Sequence, residues 1–201
     1  MQAKAIDTTS VTSRQRHADT DEKLLGRIQA GDRSAWPALV DRHLGAVFGY
    51  AYRVLGDHAE AEDVAQETFL RLMAKAKTWR KDGARLRTWL YRVAVNLSID
   101  HKRRMRPGSL SEIADPPHPG HDEAGMVRGL DCSKALRRAL DGLGEHQRQA
   151  LLLVHYQGFS NKEASAILGI STRALESRLA RARRALRRDL SPVIAELIGE
   201  Q

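Results

Sequence analysis

The chain has 201 residues, 42% of them apolar and 5% aromatic, and a formal net charge of +8. That length holds one domain or two small ones. The single cysteine, Cys132, excludes an internal disulfide; no apolar run reaches membrane-spanning length, and the polar first twenty residues lack the hydrophobic region of a signal peptide, so a soluble, cytoplasmic protein without membrane insertion is expected.

Residues 1–19 are polar and without periodicity and are predicted to form a disordered tail. Residues 20–105 are predicted to form a first folded unit of four helices. Thr20 or Asp21 starts a helix ending near Gly31. Asp32 or Ser34 starts a longer one, with Pro37 tolerated in its first turn, apolar residues from Leu39 to Leu55 at helical spacing, and Gly56 at its end. Asp57 and Glu60 have capping-box-like spacing for a third helix to about Lys77. A polar loop from Thr78 to Arg85 follows. The fourth helix, from about Leu86 to Arg104, carries Trp89, Leu90, Val93, Leu97 and His101 along one side. Residues 106–127 hold four of the six prolines and three glycines and read as a flexible linker. Residues 128–201 are predicted to form a second unit, with helices near 130–141, 146–156, 160–168, 171–189 and 191–199. No segment alternates convincingly enough for a strand, so the fold class is all-α, two small helical domains on a flexible linker.

The stretch 160–188 is the most informative. Ser160 and Glu163 have capping-box spacing. Gly169 suits the left-handed residue that ends a helix, and Ser171 can cap the next one. Leu175, Leu179, Ala182 and Leu186 then form a buried stripe, with Arg173, Arg181, Arg184 and Arg188 mostly off it. Helix, tight turn and arginine-rich helix in that order are how a helix-turn-helix delivers a recognition helix to the major groove. The plain alternative is a solvated basic helix on an ordinary bundle; the two caps and the glycine at turn spacing favour DNA. Charge agrees: residues 85–106 carry seven Lys/Arg against one acid, 171–190 carry seven Arg against two acids, and 107–130 carry four acids and one Arg. Two basic blocks around an acidic spacer fit two contacts with one polyanion.

Catalytic signatures are missing. No histidine pair has metal-ligand spacing with a second pair, and no phosphate-binding glycine loop or nucleophile elbow appears. No metal, no cofactor and no enzymatic activity are expected. Glu60, Glu62, Asp63 and Glu67 read as an acidic helix face that docks a basic partner rather than as catalytic carboxylates.

Two further segments carry a family resemblance. The run Ala61-Glu62-Asp63-Val64-Ala65-Gln66-Glu67-Thr68-Phe69-Leu70-Arg71-Leu72 and the run Arg87-Thr88-Trp89-Leu90-Tyr91-Arg92-Val93-Ala94-Val95-Asn96-Leu97-Ser98-Ile99-Asp100, with basic residues 102–104 after it, together resemble the extracytoplasmic-function (ECF, group IV) sigma factors of the sigma-70 class. With the helix-turn-helix, the resemblance covers about residues 21–105 and 130–190, and the three motifs in this order are highly specific. It implies a sigma region 2 domain at 20–105, a four-helix bundle, and a sigma region 4 domain at 128–201. Core RNA polymerase, through its β′ clamp helices and β subunit, would be held by Asp63, Val64, Gln66, Glu67, Phe69 and Leu70. The promoter −10 element would be melted and read by Trp79, Arg80, Arg87, Trp89, Arg92, Asn96, Asp100 and Arg103. The −35 element would be read by Ser171, Thr172, Arg173, Glu176, Ser177, Arg178, Arg181 and Arg184. An anti-sigma factor as regulator and a free monomer are further expectations.

Opening a duplex costs a few kcal/mol per unstacked base, which a pocket for the base and arginine contacts to the single strand can offset. Trp79 and the loop Arg80–Arg87 are placed for such a pocket, and Asn96 and Asp100 lie one turn apart. For Trp89 core packing is the favoured role over the pocket, whereas for Trp79 the two roles are equally weighted. Many relatives carry Lys or Arg where this chain has Glu176, which can accept from cytosine N4 or pair with Arg173 or Arg181. Two rival functions are a helix-turn-helix regulator that binds duplex DNA without polymerase, and a sigma mimic that sequesters an anti-sigma factor. The segments 61–72 and 87–104 speak against the first, and intact DNA-reading residues in both units against the second.

Overall fold

A computed structural model describes residues 19–80, 85–105, 135–136 and 138–199. The expected tail over 1–18, the linker over 106–127 and the loop interior at 81–84 lie outside the described residues. The described residues are helical with no strand, and the chain divides into two compact units, 1–104 and 105–201.

In the first unit, helix α1 (Asp21–Gln29) starts at Thr20, whose hydroxyl accepts from Lys23 N at 3.4 Å. Leu24, Leu25 and Ile28 turn inward. Gly31, at φ 92°, turns the chain into α2 (Ala35–Leu55). Of the two starts considered for α2, Ser34 is the cap position but its side chain makes no capping bond; Asp32 instead accepts from Ser34 N at 2.9 Å. Gly56, left-handed at φ 76°, closes α2 by donating to Tyr52 O at 2.7 Å. Asp57 caps α3 (His58–Ala76) by accepting from Glu60 N at 2.9 Å. Only half of a capping box forms there, because the Glu60 carboxylate is taken by His101 of α4 (Leu86–Met105).

These helices share a core of Leu39, Val47, Tyr50 and Val54 from α2, Val64 and Leu72 from α3, and Leu90, Tyr91, Ala94 and Val95 from α4. Tyr50 and Tyr91 meet edge to face, centroids 5.6 Å apart. The burial of α4 differs from the single stripe expected. Trp89 and Val93 are only half-buried, whereas Leu86, Thr88, Tyr91, Ala94, Val95 and Ser98 join Leu90 and Leu97 in the interior. A helix touched on a broad arc needs small residues such as Ala94 and Ser98, which an apolar-stripe reading passes over.

A polar network ties α1 to α2. Asp21 accepts from Arg42 at 2.7 Å and from His43 at 2.9 Å. Burial opposes ionisation of Asp21, but the hydrogen bonds and charges of His43 and Arg42 outweigh it and hold the carboxyl below its ordinary value of 3.8. A depressed carboxyl adds stability that is present above its unfolded value and lost as pH falls through the folded one. In denaturant unfolding followed by helical signal, the wild type should therefore exceed Asp21→Asn in stability at neutral pH, and the gap should close below about pH 3.8. A gap that stays constant to pH 2.5 would show that the ionised Asp21 contributes nothing.

In the second unit, helical residues 138–141 lead to α5 (Glu145–Leu151), which runs on into a π-helical turn, Leu152–Tyr156, closed by Gln157 N donating to Leu152 O at 2.9 Å. Helices α6 (Asn161–Leu168) and α7 (Thr172–Gly199) follow. Leu153, Ala150, Phe159, Ala164, Ile167, Leu175, Leu179 and Ala182 form the core. The sequence reading separated helices 171–189 and 191–199; the structure carries one helix across that break and through Pro192. Proline lacks the N–H that would bond Arg188 O, and beside it the Ser191 hydroxyl donates to Arg187 O at 2.6 Å. Among the described residues no helix is long and apolar enough to cross a membrane, and no group of three or more His, Cys, Asp or Glu could hold a metal ion.

Candidate nucleic-acid and polymerase interfaces

Helix α4 presents one continuous outward face. Arg92, Asn96, Asp100 and Arg103 are exposed, and Trp89 and Val93 are half-exposed on the same side, because steps of three and four residues keep them there. Trp79, at the end of α3's trailing turn, is also half-buried and meets Trp89 edge to face, centroids 5.7 Å apart and planes at 86°. The two tryptophans are thus neither core nor free. They form a shelf at the start of the α4 face, suited to stacking an unpaired base. Sequence reasoning missed what holds it: Gln29 of α1 donates to Trp79 O at 2.8 Å and to Ala76 O at 3.1 Å. Arg80 and Arg85 flank the shelf and are exposed. Arg87 is half-buried with its guanidinium 5.8 Å from the Tyr91 ring centroid, so part of its charge is spent within the bundle.

The far end of α4 is pinned. His101 Nδ1 pairs with Glu60 Oε2, and Lys102 Nζ reaches Val54 O, at the end of α2, at 3.5 Å. Asp100 and Arg103, on either side of these anchors, point to solvent.

Helix α3 exposes Asp63, Gln66 and Leu70, but the structure corrects two residues expected to touch polymerase. Val64 is fully buried and Phe69 is 7% exposed. Both belong to the stripe Ala61, Val64, Ala65, Thr68, Phe69, Leu72 that packs inside the bundle. The apolar surface on the outer face is instead that of Leu70, 59% exposed, and of Met73, 53% exposed, which sequence reasoning missed. The available signal was a methionine three residues after an off-stripe leucine. Glu67 is half-buried and bonded to Arg71 at 2.8 Å.

In the second unit both caps form. Ser160 Oγ accepts from Glu163 N at 3.3 Å, and Glu163 Oε2 accepts from Ser160 N at 3.0 Å. Gly169 turns left-handed at φ 64°, and Ser171 Oγ accepts from Ala174 N at 3.2 Å. Ser165 is 6% exposed and small enough for α6 and α7 to pack closely, its hydroxyl 3.5 Å from Thr172 Oγ1. Leu175, Leu179 and Ala182 anchor α7 inward, Leu186 is half-buried, and Thr172, Arg173, Glu176, Ser177, Arg181 and Arg184 are exposed while Arg178 is half-buried. Ser171 therefore spends its side chain on the helix start, and the following turns offer the polar groups.

A bundle with a tryptophan shelf and a basic exposed stripe, together with a capped helix-turn-helix, has the features of a helical DNA-binding transcription protein. Sequence-family comparison agrees in both units: residues 39–107 match Sigma-70 region 2 and residues 133–186 match Sigma-70, region 4. RNA polymerase sigma-H factor of Pseudomonas aeruginosa is 30% identical over 190 residues, covering 89% of this chain and 97% of that protein. The ECF RNA polymerase sigma factor SigM of Mycobacterium tuberculosis is 32% identical over 173 residues, 86% of each. Among solved structures, the sigma factor RpoE of Bartonella quintana in complex with the anti-sigma factor NepR superposes with a TM-score of 0.64 at 25% identity, covering 78% of this chain and 96% of that one. CnrH in complex with the cytosolic domain of CnrY gives 0.64 at 27% identity, covering 87% and 99%. The chain belongs to the sigma-70 family and is an ECF RNA polymerase sigma factor.

Proposed function

We propose that the outer face of α3, Asp63, Gln66, Leu70 and Met73 with Glu67 at its edge, holds core RNA polymerase. The α4 face then melts and reads the −10 element, and the start of α7 reads the −35 element. The observation that carries this reading is the joining in one chain of the exposed Arg92–Asn96–Asp100–Arg103 stripe beside the Trp79–Trp89 shelf with the capped helix α7. Trp79 and Trp89 stack a base leaving the duplex. Asn96 and Asp100 contact its edge, while Arg80, Arg92 and Arg103 meet the backbone and Arg87 supports the shelf. In α7, Thr172, Arg173, Glu176 and Ser177 face bases, and Arg178, Arg181 and Arg184 fix register on phosphates. Such a factor performs no covalent chemistry, acts in the cytoplasm as a free monomer before it meets polymerase, and is not an enzyme.

We further propose control by an anti-sigma factor that covers these surfaces until a signal releases it. The two similar structures, solved with NepR and with the cytosolic domain of CnrY, support that reading. The test is size-exclusion chromatography of the purified chain with core polymerase and a fluorescent fork-junction promoter DNA. Co-elution of all three is expected. Duplex binding by the chain alone, unchanged by core, would favour a polymerase-independent regulator.

A further inference from the structure

We propose that Glu176 is a specificity determinant that selects cytosine at one position of the −35 element. The inference rests on α7 being the −35 reading helix. Glu176 is exposed on α7, and among the described residues it makes no ion pair, with neither Arg173 nor Arg181 taking its carboxylate. Other acids of the chain are ion-paired, Glu67 with Arg71 at 2.8 Å, Asp141 with Arg148 at 2.8 Å and Asp189 with Arg188 at 2.7 Å, while Asp63 and Asp100, on the other two candidate interfaces, share with Glu176 the lack of such a partner among the described residues. The position four residues on, where a basic partner would best stabilise a helical glutamate, is Ala180. Glu176 also lies past the first turn of α7, where the helix dipole no longer favours a negative charge.

An unpaired carboxylate on a surface that meets phosphates is repelled by them. It is tolerable at a DNA interface only where a base donates to it. In the major groove cytosine offers its N4 amino donor with no acceptor of its own beside it; adenine offers N6 next to the N7 acceptor, and guanine and thymine turn acceptors outward. The carboxylate therefore selects cytosine by attraction and rejects guanine and thymine by repulsion, with adenine between. Thr172, one turn earlier, is positioned by Ser165, which fixes the start of the helix that aims Glu176.

The experiment uses holoenzyme assembled from the full chain and core polymerase on a promoter library with the −35 element randomised, read by sequencing the transcripts. For the wild type, one position should favour cytosine by about ten-fold over guanine. Glu176→Gln should move the preference at that position to adenine, and Glu176→Lys to guanine, with the other positions unchanged. The same base preferences in all three proteins would overturn the proposal. So would a uniform rise in transcription with Glu176→Gln at every sequence, which would make the residue a charge effect alone. A wild type with no −35 preference at any position would remove the reading of α7 itself, so the two failures are distinguishable. Glu176 is exposed, so both variants should keep the helical signal and thermal midpoint of the wild type.

Discussion

Asn96→Ala is expected to abolish most open-complex formation while leaving core binding within about two-fold. Asn96 is exposed at the centre of the α4 face, with Arg92 one turn before it, Asp100 one turn after, and Trp89 two turns before on the same side. An amide side chain carries both a donor and an acceptor and can pair with a base edge in two places. Such a bidentate contact is worth about 1–3 kcal/mol of discrimination, or roughly ten- to a hundred-fold in the equilibrium. The contact forms only once the base has left the stack, so its loss falls on melting and not on assembly. Alanine is also the better helix former at an exposed mid-helix position, by about half a kcal/mol, so the variant should fold at least as well. Permanganate reactivity of unpaired thymines reports the melting, and a pull-down reports core binding. Equal loss of both would make Asn96 a structural residue of the bundle.

Leu70→Ala combined with Met73→Ala should give the opposite phenotype, with core binding weakened by about thirty-fold or more. Leu70 is 59% exposed and Met73 53% exposed, one turn apart. Burying the remaining surface of the two side chains against a partner contributes roughly 2 kcal/mol at about 25 cal/mol per Å². That converts to about thirty-fold in affinity. Neither side chain is part of the bundle core, so the thermal midpoint should hold. Titrating fluorescent chain with core polymerase measures the loss. An unchanged Kd would take the outer face of α3 out of the interface, and Asp63→Ala and Gln66→Ala would then be expected to be silent as well.

Helix starts and stops were the most legible part of the sequence. Thr20, Asp57, Ser160 with Glu163, and Ser171 each act within three residues, and Gly56 and Gly169 take the left-handed conformation their positions demand. Such interactions need nothing from the rest of the chain. Features set by tertiary contact were not legible. Val64 and Phe69 look like neighbours of Asp63 and Leu70 along the chain, and it is the packing of the whole stripe from Ala61 to Leu72 inside the bundle that separates them. The broad burial of α4 depends on its own small residues Ala94 and Ser98 and on Tyr50 of α2 set against Tyr91, not on an apolar period. The π-helical turn at Leu152–Tyr156 and the passage of α7 through Pro192 depend on backbone bonds that no residue pattern announces. At the site, the α4 stripe was visible as spacing, whereas the Gln29 bonds under Trp79 join residues 50 apart and required the fold.

As a sigma factor, this chain makes core polymerase start transcription at particular promoters. The most direct test is run-off transcription with purified full-length chain, core polymerase and a library of promoter fragments from the source genome. Transcripts from a small set of fragments sharing −35 and −10 sequences, dependent on both chain and core, are expected. No chain-dependent transcript from any fragment, with no stable complex with core, would contradict it.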